Sequence, residues 1–383
     1  MKLTLNHKKL AQALSYTSKS VSQKPNIPIL SNVKLESSED SLKLMATNLD
    51  MGIKMWIPCS IDESGSTTVN AKYISDYVSV TNSSSEEITI EQKDNNLNLS
   101  TDTSKASFTT IPAEEFPALP TLGVKPMFQI NAHEFVTAMD KTIFACSTDL
   151  SAGRIQQSGV LFELQASNSE IDFIGLDGFR LSKRKCSVSN VDSEITKEEI
   201  IVPARYLLEL SRILSDFPEV EKLEVYLSES GSQIIFKIDQ IEFSIRLLEG
   251  PYPDYKRIMP DDHSFEFEVD KKELESAIKI TNTFARGNLG NKTLFDFDVE
   301  NNSIKLQSAV AEVGEGETNI EVSNASGESD LKTAYTLRYL QDIVNHVEGE
   351  KIIFETKGPL AASVFKDSND PNYVHLVMPM RRE

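Results

Sequence analysis

Five histidines and three cysteines are the side chains of this 383-residue chain best suited to hold a metal or to act as nucleophile and base. Their spacing gives them no joint task. His7, His133, His263, His346 and His375 nowhere fall at the short intervals that bring two imidazoles to one metal ion. Cys59, Cys146 and Cys186 are odd in number and far apart, the pattern of reduced cytosolic thiols rather than a disulfide framework or a zinc site. No G-x-S-x-G elbow or Walker A loop is present. Gly287-Asn288-Leu289-Gly290-Asn291-Lys292 carries glycines but lacks the phosphate-loop spacing, and reads as a turn. Glu114-Glu115 and Asp261-Asp262 are adjacent in sequence, and adjacent acids more often lie in solvated loops than in a catalytic pair. The expectation is a protein without enzymatic chemistry, metal or cofactor.

The residues that do recur in a pattern are basic. Lys72-Tyr73-Ile74-Ser75-Asp76-Tyr77, Arg205-Tyr206-Leu207-Leu208-Glu209-Leu210 and Arg338-Tyr339-Leu340-Gln341-Asp342-Ile343 begin 133 residues apart both times. Each places a base, a tyrosine and an aliphatic in order, with an acid four residues after the base. Such an i,i+4 pair favours a helix by about 0.2–0.5 kcal/mol. Pro203 suits a first helical turn, and Arg212 lies on the same face as Arg205. Exposed lysines and arginines on helices can contact phosphates without reading bases. The net charge of −19 opposes nucleic-acid binding unless the positive groups are segregated. Segregation is visible: the first 35 residues hold Lys2, Lys8, Lys9, Lys19, Lys24 and Lys34 and no acid.

The elements that must position these groups also come in threes. Short alternating segments ending at Asn6, Asn131 and Asp270 lead into helices that those residues can cap. Four, seven and eight residues after each cap stand Leu10, Ala13 and Leu14; Phe135, Ala138 and Met139; Leu274, Ala277 and Ile278. That spacing puts each trio on one helical face. Period-two alternation marks strands at 42–44, 88–90, 97–99, 223–227, 234–238 and 352–354, with turns at Asp94-Asn95-Asn96, Ser230-Gly231-Ser232 and Glu300-Asn301-Asn302. The fold class is α+β: three tandem repeats, each with two helices on one face of an antiparallel sheet. Repeat boundaries are expected at 1–124, 125–258 and 259–383. With 39% hydrophobic and 25% charged residues and no apolar run long enough for a membrane span, the chain reads as globular. Lys8 and Lys9 break any leader-like apolar stretch, so a cytoplasmic location is expected.

Repeats of this kind expose sheet edges that must be paired. Head-to-tail pairing ends in a filament or a closed ring. Helices lining a ring would turn Lys24, Lys72, Arg205, Arg212 and Arg338 toward a central hole and leave the acids outside. The alternative is a repeat-built scaffold that binds partner peptides and never touches DNA; the basic N-terminal stretch speaks against it.

Over its whole length the chain resembles the beta subunit of bacterial DNA polymerase III, the sliding-clamp family. The most specific segments are Ile27-Pro28-Ile29-Leu30, Leu176-Asp177-Gly178-Phe179-Arg180-Leu181, Tyr252-Pro253-Asp254-Tyr255-Lys256-Arg257-Ile258 and Leu376-Val377-Met378-Pro379-Met380-Arg381. The resemblance implies a processivity factor: a head-to-tail homodimer forming a ring of six domains around double-stranded DNA of any sequence. It also implies a hydrophobic pocket that receives short peptides of the DNA polymerase III catalytic subunit, the clamp loader and other proteins with a clamp-binding motif. By position the pocket comprises Arg154, Leu176, Gly178, Arg180, Leu181, Pro253, Arg257, Ile258, Leu376, Val377, Met378, Pro379 and Met380. Deleting Leu376–Glu383 is expected to abolish peptide binding and to leave the dimer intact. The match assigns Phe108, Thr283 and Phe284 to the subunit interface.

The chain departs from the family pattern at several of these places. Gln156 and Gln157 stand where aromatic or aliphatic residues are common, Leu176 replaces a common Thr, and Phe179 replaces a common His. It also runs on to Arg382-Glu383, where relatives tend to stop near an aliphatic residue.

Overall fold

The computed structural model describes residues 1–22, 27–81, 86–151, 154–193, 197–287, 289–311 and 313–382. Lys24, Asn288 and Glu383 lie outside the described residues. Six α-helices are described: α1 (His7–Thr17), α2 (Ala71–Val80), α3 (Ala132–Ile143), α4 (Ala204–Ser215), α5 (Lys271–Ala285) and α6 (Leu337–His346). Each follows directly on a strand. Lys2–Asn6, Phe128–Asn131 and Phe265–Asp270 lead into α1, α3 and α5. Ser66–Asn70, Glu199–Pro203 and Leu331–Thr336 lead into α2, α4 and α6. Two helices per repeat on antiparallel strands is the α+β clamp-type arrangement expected.

The caps form as their chemistry requires. Asn6 Oδ1 accepts from the Lys9 amide at 3.1 Å, and Asp270 Oδ1 from those of Lys272 and Glu273 at 2.8 and 3.1 Å. All nine residues of the three apolar trios are buried, each side chain contributing on the order of 1.5–3 kcal/mol when large. A second repeated feature escaped the sequence reading. Thr17, Thr142 and Thr281 are fully buried, and each donates its hydroxyl to the carbonyl four residues back, Ala13, Ala138 and Ala277, at 2.8, 2.6 and 2.5 Å. An Ala-x-x-x-Thr pattern lets a hydroxyl lie in the core with its donor satisfied by the helix itself. Pro203 is the last strand residue before α4, one position ahead of the helical turn expected for it.

Two compact units divide the chain: 1–133, 188–196 and 206–247 in one, 134–187, 197–205 and 248–383 in the other. The middle repeat is shared between them, and strand pairing explains why. In the first unit, strand Met51–Glu63 pairs antiparallel with Ile241–Arg246, Met55 facing Ile241 and Met51 facing Ile245. In the second, Arg180–Ser189 pairs with Tyr373–Val377, Leu181 facing Leu376 and Arg184 facing Tyr373. In both, the long strand of one repeat meets the last strand of the next, so the β-sheet runs on across the boundary. The second unit's main core gathers Phe267, Phe295, Phe297, Phe354 and Tyr335 with Leu274, Ile278, Leu340 and Val377.

Candidate peptide-binding groove

All thirteen residues assigned to the peptide pocket fall in the second unit. The groove starts at a turn. Strands Glu170–Leu176 and Arg180–Ser189 are joined by Asp177-Gly178-Phe179, with Gly178 at φ +90°, a conformation that L side chains rarely adopt. Asp177 Oδ1 accepts from the amides of Phe179 and Arg180 at 3.0 and 3.1 Å, which fixes the turn. The Phe179 carbonyl then accepts from the Met378 amide at 2.8 Å, bringing the C-terminal segment alongside.

Leu176, Leu181 and Leu376 are buried together with Leu161, Ile174, Ile201, Tyr255 and Val364 in one apolar cluster. Leu248, Tyr252, Met259, Ala362, Val374 and Met378 pack on it half-buried. These residues make a floor with partly open walls. Pro253, Met378, Pro379 and Met380 are half-buried, whereas Arg154, Gly178, Arg257 and Ile258 are exposed. Arg257 pairs with Asp254 at 2.7 Å, and Arg154 lies 4.0 Å from Asp149.

Four exposed apolar side chains lie close in sequence to members of this cluster: Ile155, Phe179, Ile258 and Leu360, at 40, 57, 42 and 66% exposure. Ile155 precedes the strand bearing Leu161, and Leu360 the strand bearing Val364. Sequence reasoning missed Ile155, Leu360, Tyr252 and Met259. Tyr252 lay within a quoted motif, but nothing local marks Leu360.

The wall formed by 252–258 is anchored from below. Tyr252 Oη donates to the carbonyl of Ile174 at 3.1 Å, and Tyr255 Oη and Lys256 Nζ both donate to the Glu163 carboxylate. Burial pushes the Glu163 carboxyl up, but these donors and the charges of Lys256 and Lys183 hold it below the usual carboxylate range. Gln156 Nε2 donates to the Glu249 carbonyl at 2.8 Å, just ahead of the same segment.

Arg180, assigned to the pocket by position, is 6% exposed and its guanidinium is committed within the chain. Nε donates to Asp177 at 3.0 Å, Nη2 to the Phe144 carbonyl at 2.6 Å and Nη1 to Asp342, with the Tyr339 ring 4.6 Å away. Deletion of Leu376–Glu383 would remove part of the buried core as well as the half-buried segment. Leu376 and Val377 are fully buried and paired to Leu181, Arg180, Val364 and Ser363.

The recurring basic residues Lys72, Arg205, Arg212 and Arg338 are all exposed on their helices. Among the acids of these hexapeptides, Glu209 accepts from Arg212 at 2.6 Å, and Asp342 from Arg180. Phe108 and Phe284 are half-buried and Thr283 is exposed. Phe108 meets the Tyr77 ring edge-on at 5.7 Å, and the Phe284 ring lies against Gly316, where a Cβ would come within 2.5 Å of it.

Among the described residues no group of three or more His, Cys, Asp or Glu could hold a metal ion. Burial pushes the Cys146 and Cys186 thiols up to about 12, far from a reactive thiolate. No helix described is long and apolar enough to cross a membrane.

Family models for the DNA polymerase III beta subunit match the chain in succession: the N-terminal domain over residues 1–120, the central domain over 129–254 and the C-terminal domain over 256–381. The beta sliding clamp of Bacillus subtilis is 27% identical with full coverage of both chains. That of Staphylococcus aureus is 23% identical over all of this chain and 99% of its own. Among solved structures, the Bacillus subtilis DNA polymerase sliding clamp superposes with a TM-score of 0.92 at 26% identity, covering all of both chains. The Streptococcus pyogenes beta subunit does so at 0.91 and 22%, also over both whole chains, a likeness of fold. The chain belongs to the DNA polymerase III beta subunit family of sliding clamps.

Proposed function

We propose that two copies of this chain close head to tail around duplex DNA and tether the DNA polymerase III catalytic subunit, the clamp loader and other DNA-handling proteins through the groove built on Leu176, Leu181 and Leu376. The repeats are proposed to divide near residues 124 and 258, and the protein to act in the cytoplasm without catalysing a reaction. The observation that carries the ring is the strand rule within the chain. Each long strand pairs with the last strand of the following repeat, 51–55 with 241–245 and 180–184 with 373–377. Two strands are left over by that rule: Gly314–Ser326, the long strand of the third repeat, and Lys105–Ile111, the last strand of the first. One edge of each has no strand partner among the described residues. Pairing them between copies continues the rule and closes both edges. Phe108 lies on Lys105–Ile111, and Phe284 covers the start of Gly314–Ser326.

Exposed Lys72, Arg205, Arg212 and Arg338 supply sequence-independent phosphate contacts in this reading, and retention comes from topology. Weak contacts then permit sliding. The test is the mass and outline of the particle: the reading requires twice the 42.7 kDa of one chain and an annulus with an open bore. A stable monomer, or a dimer without a hole, overturns it.

A further inference from the structure

The segment past Met380 is fastened through Arg382, one residue beyond the span matched by the C-terminal domain model. After strand Tyr373–Val377, residues 378–382 belong to no strand, and an unpaired chain end of that kind ordinarily frays. Here the Met380 amide donates to the Ala334 carbonyl at 2.7 Å, and Thr336 Oγ1 lies 3.3 Å from Met380 Sδ. Two residues further on, the Arg382 guanidinium grips both carboxylate oxygens of Asp296, with Nη2 to Oδ2 at 2.9 Å. Lys292 Nζ donates to the Arg382 carbonyl. Asp296 and Lys292, the acceptor of the one contact and the donor of the other, belong to one strand, Lys292–Asp298, that is hydrogen-bonded to the strand carrying Ala334. The pair is only partly exposed, with the side chains at 35 and 20%. A forked guanidinium on a carboxylate fixes direction as well as distance, which a single hydrogen bond does not.

We infer that Arg382 and Asp296 form a clasp that positions Met378, Pro379 and Met380 as a preformed wall of the peptide groove. This rests on the groove reading above and assigns specificity-determining roles to residues outside the groove. Met378, Pro379 and Met380 are half-buried side chains on a segment outside any strand, held by the amides of Met378 and Met380, Pro379 having none to give. Without the clasp, a ligand must order that segment as it binds, and the ordering entropy appears as weaker affinity. Arg382 and Asp296 thus act through the methionines as positioning residues.

The experiment measures dissociation of a fluorescein-labelled peptide carrying the clamp-binding segment of the DNA polymerase III catalytic subunit, together with hydrogen exchange at the Met380 amide. The full chain is compared with Asp296→Asn, Arg382→Gln and the swap Asp296→Arg/Arg382→Asp. The clasp predicts dissociation roughly five- to twentyfold faster in both single variants, the size expected for losing the order of about one residue. It also predicts faster exchange at Met380 and recovery of both readings in the swap. Unchanged dissociation in the single variants, with the unaltered chain binding the peptide, overturns the clasp and leaves the groove standing. Failure of the unaltered chain to bind the peptide overturns the groove reading, and the clasp with it.

Discussion

Arg180 and Asp342 are 162 positions apart and form an ion pair that ties strand Arg180–Ser189 to helix α6. Arg180 is buried and its other donors go to Asp177 and the Phe144 carbonyl, so the guanidinium sits at the meeting point of a turn, a helix end and a neighbouring repeat. Replacing Asp342 by Ala leaves one face of a buried cation unsatisfied. The expected loss is about 1.5–3 kcal/mol, the range for a hydrogen bond to a charged group. A urea titration measures it as a lower midpoint, and an unaltered midpoint contradicts the assignment.

His375 gives a pH dependence. It is fully buried, neither ring nitrogen has a hydrogen-bond partner among the described residues, and it stacks on Phe144 at 5.4 Å. Burial first, then the charges of Arg180 and His346, push its pKa well below the ordinary histidine value. The folded form therefore keeps the ring neutral while the unfolded chain takes up a proton below about pH 6.5. Stability is unaffected by this group above that pH and falls as pH drops through it, by up to about 1.4 kcal/mol per unit. His375→Leu should flatten that part of the profile in chemical denaturation between pH 7 and 5. A slope identical to that of the unaltered chain would count against this account.

Phe179 should matter for ligands and little for folding. It is 57% exposed, and surface truncations of this kind change stability by about 0.5 kcal/mol or less. Phe179→Ala should weaken binding of the polymerase peptide by about tenfold, roughly 1.4 kcal/mol, with the thermal midpoint unmoved. Truncation after Val377 is the matching backbone probe, because it removes Met378 to Glu383 and spares the buried Leu376 and Val377. Fluorescence anisotropy reads both, and full affinity in either variant speaks against the groove.

The proposed DNA-facing role of the helix cations gives a salt dependence. Arg205→Glu/Arg338→Glu should lower the affinity for linear duplex at low salt and reduce the slope of log affinity against log salt by about two. Peptide affinity should not move, since neither residue belongs to the groove. An unaltered salt slope would mean that these side chains do not face DNA.

What local sequence could reveal was the periodic part. Leu10, Phe135 and Leu274 disclosed a repeated helix because burial on one face imposes a spacing that survives in the chain. The Ala-x-x-x-Thr pattern was equally legible, but a buried threonine looks polar until its hydroxyl is seen to close on the helix itself. The partner of Asp342 was not legible. The i,i+4 rule offered Arg338, and a tertiary contact with Arg180 outweighed a few tenths of a kcal/mol of local preference. The groove showed the same division: its motif residues could be named by position, but which of them form floor, wall or anchor depends on strands distant in the chain. Leu360 and the Arg382–Asp296 pair carried no local signal at all.

Encirclement is tested most directly by retention on DNA of defined topology. Protein loaded onto a nicked circle should remain through gel filtration at high salt and leave once the circle is cut by a restriction enzyme. Equal loss from the intact and the cut circle would contradict a ring held by topology.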